Sequence, residues 1–298
     1  MKERLLFIDT NILLDFYRFR NEAALSLLRS VDSIRGKVIM TYLVEMEFKK
    51  NRQGVILESF NALISSSQIC HPSLFSDAAS VKALAKDIKS VNKKVDHLKQ
   101  RLTNALQKPA IHDPVYKLAQ HLFTKPDAYS LAQDSKLELA VRRKALRRFL
   151  LGCPPRKQRD TSIADAINWE WIVHCAINSE AEIVIVSRDA DYGSSLKGET
   201  FLNDWLVQEF KSRVSKKRKI SLYTKLSEAL KLFAVSVTEK EVKEEEMVAE
   251  PSLKTSSPDE NRRSLADMLG EWAKKQMEEK ALDVKSEPIR ENIWAKLR

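Results

Sequence analysis

The chain has 298 residues, 43% of them hydrophobic, which is enough to build a sizeable core as one large domain or two small ones and excludes a wholly disordered protein. Its formal charge of +10 is uneven: residues 239–298 hold 12 Lys and Arg against 15 Asp and Glu, leaving 39 against 26, a net +13, for residues 1–238. A basic body favours an anionic partner, nucleic acid first, and no apolar run approaches the ~20 residues of a membrane span.

In chain order, Arg4–Ile8 is a short apolar run that suits a strand buried on both faces. Asp9, Asn11 and Asp15 interrupt the apolar stretch around it, so it does not read as a signal peptide and a cytoplasmic protein is expected. Thr10 and Asn11 are capping residues, and a helix is predicted to begin there. Residues 21–34 predict a second helix with Ala24, Leu27, Leu28 and Val31 on one face. Residues 38–44, VIMTYLV, predict a second strand leading into a helix that carries Glu45 and Glu47.

Residues 76–108 lack glycine and proline and repeat apolar residues every three or four positions, from Val81 to Leu102. They predict a long lysine-rich helix, half of a helical hairpin inserted over about 76–150. A solvated helix face is the plain reading of its charges, and a basic arm against RNA or DNA the sharper one. The main fold resumes with a helix over 164–179, a β-branched strand over 182–187, a short strand over 220–224 and a helix over 225–233. This alternation predicts an α/β fold with a mostly parallel sheet. Residues 239–262 read as a flexible charged linker, and 263–298 as an amphipathic tail that is open to docking on the body, binding a protein partner or folding on binding. Cys70, Cys153 and Cys175 have no metal-ligand spacing and read as buried reduced thiols.

Four acids share one setting. Asp9 and Asp189 follow predicted strands, Glu47 follows the second strand by a few residues, and Asp165 opens the helix that feeds the strand before Asp189. Ligand sites in open parallel sheets lie beyond the carboxyl ends of the strands. Crowded carboxylates repel, and a divalent cation with a taste for hard oxygen, Mg²⁺ or Mn²⁺, removes that cost. Each acid alone reads more readily as a helix cap, first-turn acid, turn or surface residue, and it is the joint arrangement that points to a metal.

The run Phe7-Ile8-Asp9-Thr10-Asn11-Ile12 resembles the opening motif of PIN-domain nucleases. Tyr42–Phe48, Asp165–Trp169 and Val186–Tyr192 are similar to their second, third and fourth motifs, in the same order, and Glu47–Arg52 with Asp160 is most like a bacterial PIN-like subgroup carrying a helical insertion. The resemblance covers roughly 1–60 and 155–235. It implies a PIN-like domain over 1–238 and endonucleolytic hydrolysis of phosphodiesters by metal-activated water, with RNA favoured over single-stranded DNA. It also implies metal ligands at Asp9, Glu47, Asp165 and Asp189, with Asp191 and Asp160 as further candidates. Glu45 competes with Glu47, and Asp191 with Asp189; the family spacing favours Glu47, and Asp189 is taken as the ligand with Asp191 as a second or indirect one. Asn11 and Ser187 are expected to support the carboxylates, and Arg52, Arg156, Lys157, Arg159 and Arg188 to meet substrate phosphates. A non-catalytic nucleic-acid-binding scaffold, a toxin or defence effector, a phosphatase, and self-association through the helical arm stay open.

Overall fold

A computed structural model describes residues 3–19, 21–64, 78–125, 127–156, 162–196 and 198–254. The order is β1 (Arg4–Ile8), α1 (Thr10–Asp15), α2 (Ala23–Ser33), β2 (Val38–Thr41), α3 (Tyr42–Ala62), α4 (Ala79–Gln107), α5 (Pro109–His112) and α6 (Pro114–Phe123). Then come β3 (Ser130–Leu131), α7 (Lys136–Leu150), α8 (Ala164–Ser179), β4 (Glu182–Val186), β5 (Gly193–Leu196) and β6 (Glu199–Leu202). α9 (Asp204–Arg213), β7 (Ile220–Tyr223), α10 (Leu226–Lys231) and α11 (Glu239–Lys254) complete it.

The fold is α/β, and its main sheet is parallel throughout, in the order β3-β2-β1-β4-β7. β1 is central, and Leu5, Leu6, Phe7 and Ile8 are all fully buried, which is why it carries no polar alternation. Its register sets Ile8 opposite Val186, so β1 and β4 end together and Asp9 and Ser187 emerge side by side. The amide of Asp9 donates to Val186 O at 2.9 Å across that seam. The chain leaves β1 toward β2 on one side and β4 toward β7 on the other, so the crevice beyond β1 and β4 is the switch point of the sheet.

β2 is shorter than the run VIMTYLV predicts. Thr41 turns its hydroxyl to accept from the Val44 amide at 3.2 Å and caps α3, which therefore starts at Tyr42. α8 is buried along most of its length, with Trp169 and Trp171 at or below 1% exposure. Each indole N–H has a partner: Trp169 donates to Glu209 at 3.1 Å and Trp171 to the Tyr129 carbonyl at 2.9 Å.

The region expected as an insertion divides in two. α4 buries none of its residues. α6, β3 and α7, by contrast, put Val115, Ala119, Leu122, Leu131, Val141 and Ala145 into the core, and β3 extends the main sheet beside Met40 and Thr41. The β5–β6 hairpin and α9 are further elements that periodicity did not reveal. Gly193 starts the hairpin because a Cβ there would lie 2.0 Å from the Phe201 carbonyl oxygen.

Residues 239–254, expected within a flexible linker, form α11 instead. A capping box starts it: the Thr238 amide donates to Glu241 at 2.6 Å, and the Glu241 amide to the Thr238 hydroxyl at 3.3 Å. Cys175 is buried and Cys153 half-buried, both as free thiols, whereas Cys70 and the tail 263–298 lie outside the described residues. Among the described residues no helix is long and apolar enough to cross a membrane.

Candidate active site

Asp9 is the hub. It is 4% exposed and accepts three hydrogen bonds: from the Thr10 amide (2.7 Å), Asn11 Nδ2 (2.9 Å) and Ser187 Oγ (2.5 Å). The Ser187 hydroxyl in turn accepts from the Asp189 amide at 3.0 Å, which ties the two strand ends into one unit. The carboxyl of Asp9 is pushed up to about 7, first by burial, then by the negative charge of Asp189, and further by Asp165 and Glu47; the Ser187 hydrogen bond opposes this. Asp9 thus feels carboxylates from three separate segments of the chain.

Thr10 links the second segment, its hydroxyl donating to Glu47 Oε2 at 3.0 Å. Glu45, two residues earlier on α3, instead accepts from Lys49 Nζ at 2.6 Å on the outer face. Tyr192 is fully buried, with its ring centroid 6.3 Å from that of Phe7. Its phenol is held well above its usual range by burial and by the charges of Asp165, Asp9, Asp189 and Asp191, so it forms an uncharged wall beside the acids. Thr10 and Tyr192 both lie within the motif runs, but the sequence assigns neither a task at the site; the Thr10 hydrogen bond to Glu47 and the burial of Tyr192 beside the acids do.

Among the described residues no three His, Cys, Asp or Glu side chains are drawn together closely enough to hold an ion as they stand. The charges of Asp189, Asp165 and Glu47 nevertheless each act on the Asp9 carboxyl, so all three lie within electrostatic reach of it. The chemistry of the set fits a hard divalent cation. All its donors are oxygens, the buried Asp9 carboxylate takes its three hydrogen bonds from uncharged donors, and Asn11 Oδ1 is buried with no hydrogen-bond partner among the described residues.

The basic residues are redistributed. Arg52 was expected to bind phosphate but is 3% exposed; it pairs with Asp113 at 2.6 Å and donates to the Ala105 carbonyl at 2.7 Å. Arg188, expected in the same role, is buried against Asp15. Both are consumed by internal carboxylates, since a buried guanidinium must be paired. Arg156 is exposed, its guanidinium 4.5 Å from the centroid of the Phe149 ring. It lines an open cleft of about 480 Å³ with Gly152, Pro154 and Asn203. The Asn203 amide donates to the Tyr192 carbonyl at 2.8 Å, which connects this cleft to the wall beside the acids. Lys157, Arg159 and Asp160 lie outside the described residues.

Fold and site define an α/β protein with an acidic centre at the carboxyl edge of a parallel sheet. A family model described as PIN domain matches residues 6–192, and the chain belongs to that family. No curated protein and no solved structure matches it. Family membership supports a nuclease-like function. The match runs from β1 to Tyr192, so it spans all four acidic segments and the intervening helices.

Proposed function

We propose that the protein is a metal-dependent endoribonuclease, with Asp9, Glu47, Asp165 and Asp189 holding Mg²⁺ or Mn²⁺. The observation that carries this reading is the joining of Asp9 and Asp189 through the Ser187 hydroxyl at the paired ends of β1 and β4, with Glu47 tied in through Thr10, inside a PIN-domain match that spans all four acids. A bound divalent cation would offset their charge, polarise the phosphodiester and make an attacking water more acidic. The chain's own groups then have distinct tasks. The Thr10 amide, Asn11 and Ser187 fix the Asp9 carboxylate, and the Thr10 hydroxyl fixes Glu47. Asp191 adds negative charge at the edge of the site. Tyr192 closes the site from behind and keeps water from that side. Arg156, stacked on Phe149 and open to solvent, meets a substrate phosphate. RNA is the favoured substrate over single-stranded DNA, and the +13 charge of residues 1–238 supplies the attraction.

The test is cleavage of a labelled single-stranded RNA with Mn²⁺ or Mg²⁺, beside EDTA and Asp9→Asn. Cleavage that needs the ion and disappears in the variant is the expected result. Salt-sensitive RNA binding with no cleavage under any of these conditions would sink the nuclease reading and make the protein a nucleic-acid-binding scaffold.

A further inference from the structure

Helix α4 is 29 residues long and buries none of them, yet it carries a strict apolar repeat. Val81, Leu84, Ile88, Val91, Val95, Leu98 and Leu102 alternate three and four apart, the a and d positions of three heptads. The C-terminal part of α4 leans on α3. Lys99 Nζ lies 5.4 Å from the centroid of the Phe60 ring, and Arg52 reaches the Ala105 carbonyl. Both contacts fall at or after Lys99, and α3 ends at Ala62, just past Phe60, so Ala79–Leu98 runs on beyond the end of α3. Along that stretch Leu84, Val91 and Leu98 are 50%, 46% and 44% exposed, and Val81, Ile88 and Val95 between them are half-buried. An apolar seam at heptad spacing with exposed leucine and valine at every second position marks a protein contact.

We propose that this stretch pairs with the same stretch of a second copy of the chain as an antiparallel two-stranded coiled coil. The charges beside the seam select both the partner and its direction. In a parallel pair, Lys94 would face the partner's Lys99, and no opposite charges would meet. In the antiparallel pair with Ile88 facing the partner's Val91, Val81 faces the partner's Leu98 and Leu84 the partner's Val95. Asp87 then lies beside the partner's Lys94, and the two-fold axis repeats that pair. A slip of one heptad sets Lys94 against the partner's Lys94, or Asp87 against the partner's Asp87. Lys82, Lys86, Lys89 and Lys93 stay on the solvated side in the chosen register. The inference is independent of the nuclease reading, because the arm and the acidic centre share no residue.

The test is the mass of the full chain by sedimentation equilibrium, for the wild type, Leu84→Lys/Val91→Lys, Asp87→Lys and Asp87→Lys/Lys94→Asp. Wild type is expected at twice 34.2 kDa at about 10 μM, and the seam double variant at the monomer mass with an unchanged melting temperature, since both side chains are half-exposed to begin with. Asp87→Lys, which turns two attractive contacts repulsive, is expected to weaken the dimer about tenfold, and Asp87→Lys/Lys94→Asp to restore it. A wild-type monomer up to roughly 100 μM overturns the proposal, and so does a dimer that survives the seam substitutions. Failure of the charge exchange to restore pairing overturns the antiparallel register. A monomer whose RNA affinity falls when the four outer lysines are replaced also overturns it and assigns the arm to nucleic acid.

Discussion

Asp9 is buried, negatively charged neighbours surround it, and three donors hold it. Replacing it with Asn removes the unfavourable charge while keeping the shape. One amide oxygen still accepts from the Thr10 amide, the new NH₂ group has the Ser187 oxygen as an acceptor, and the Asn11 amide has an unused oxygen to offer it. Asp9→Asn is therefore expected to abolish cleavage and to raise the melting temperature of the ion-free protein by ~3 °C, read by calorimetry in EDTA. A variant that melts lower than wild type in EDTA would refute this account of the burial. The pH dependence has a definite sign. A folded-state carboxyl pushed up to about 7 contributes stability that is fully present below its unfolded range, and that is lost as pH rises through about 7. Divalent cations compete with the proton, so the Mn²⁺-induced rise in melting temperature should be small at pH 5 and several degrees at pH 8. Equal shifts at both pH values would place the ion elsewhere.

At the scale of elements, the strand-and-cap pattern around the site was legible because it is local. Asp9 and Asp189 sit where apolar runs stop, and the register of β1 with β4 does the rest. The fates of Arg52 and Arg188 were harder to read, because their partners are distant or on another element. Asp113 lies 61 residues from Arg52 and serves as the N-cap of α6. A signal did exist: Phe48, Arg52, Val55 and Ile56 share one face of α3, and all are buried. Removing the guanidinium leaves Asp113 buried and unpaired. Arg52→Ala is expected to cost about 3–5 kcal/mol in urea unfolding, while cleavage per folded molecule is kept. A fully stable variant with lost activity would return Arg52 to the substrate-binding role.

α11 shows the same limit of composition. Its acid-rich sequence reads as solvated chain, and yet Glu241 and Glu245 are 3% and 2% exposed. The residue at the N-cap of α10, Lys225, makes no side-chain cap. Glu245 accepts from the Leu226 and Ser227 amides, the latter at 2.9 Å, and so caps α10 from a different helix. The Thr238-x-x-Glu241 box was the available clue to where this helix begins. Glu245→Ala is expected to lower stability by ~1–2 kcal/mol, and Glu245→Gln, which keeps one acceptor oxygen, by less. Equal losses for the two variants would show that the cap is not what Glu245 provides.

Over the whole molecule, one compact unit extends to Leu253 and takes in α11 up to its last residue. Charge follows the same boundary. Residues 255–298 hold 9 Lys and Arg against 9 Asp and Glu, and the negative excess of the last sixty residues belongs to α11. Two truncations separate stability from nucleic-acid attraction. A chain ending at Lys254 keeps the helix that caps α10 and changes no net charge, so its melting temperature, its RNA affinity and the slope of that affinity against salt should match the full chain. A chain ending at Thr238 uncaps α10 and exposes the surface that α11 covers, so it should melt several degrees lower. It also sheds the three excess negative charges, and at 50 mM salt it should bind RNA at least as tightly whenever it is folded. Loss of RNA binding on removal of 255–298 alone would give the tail a direct contact with the substrate and end the equation of the nucleic-acid interface with the basic body.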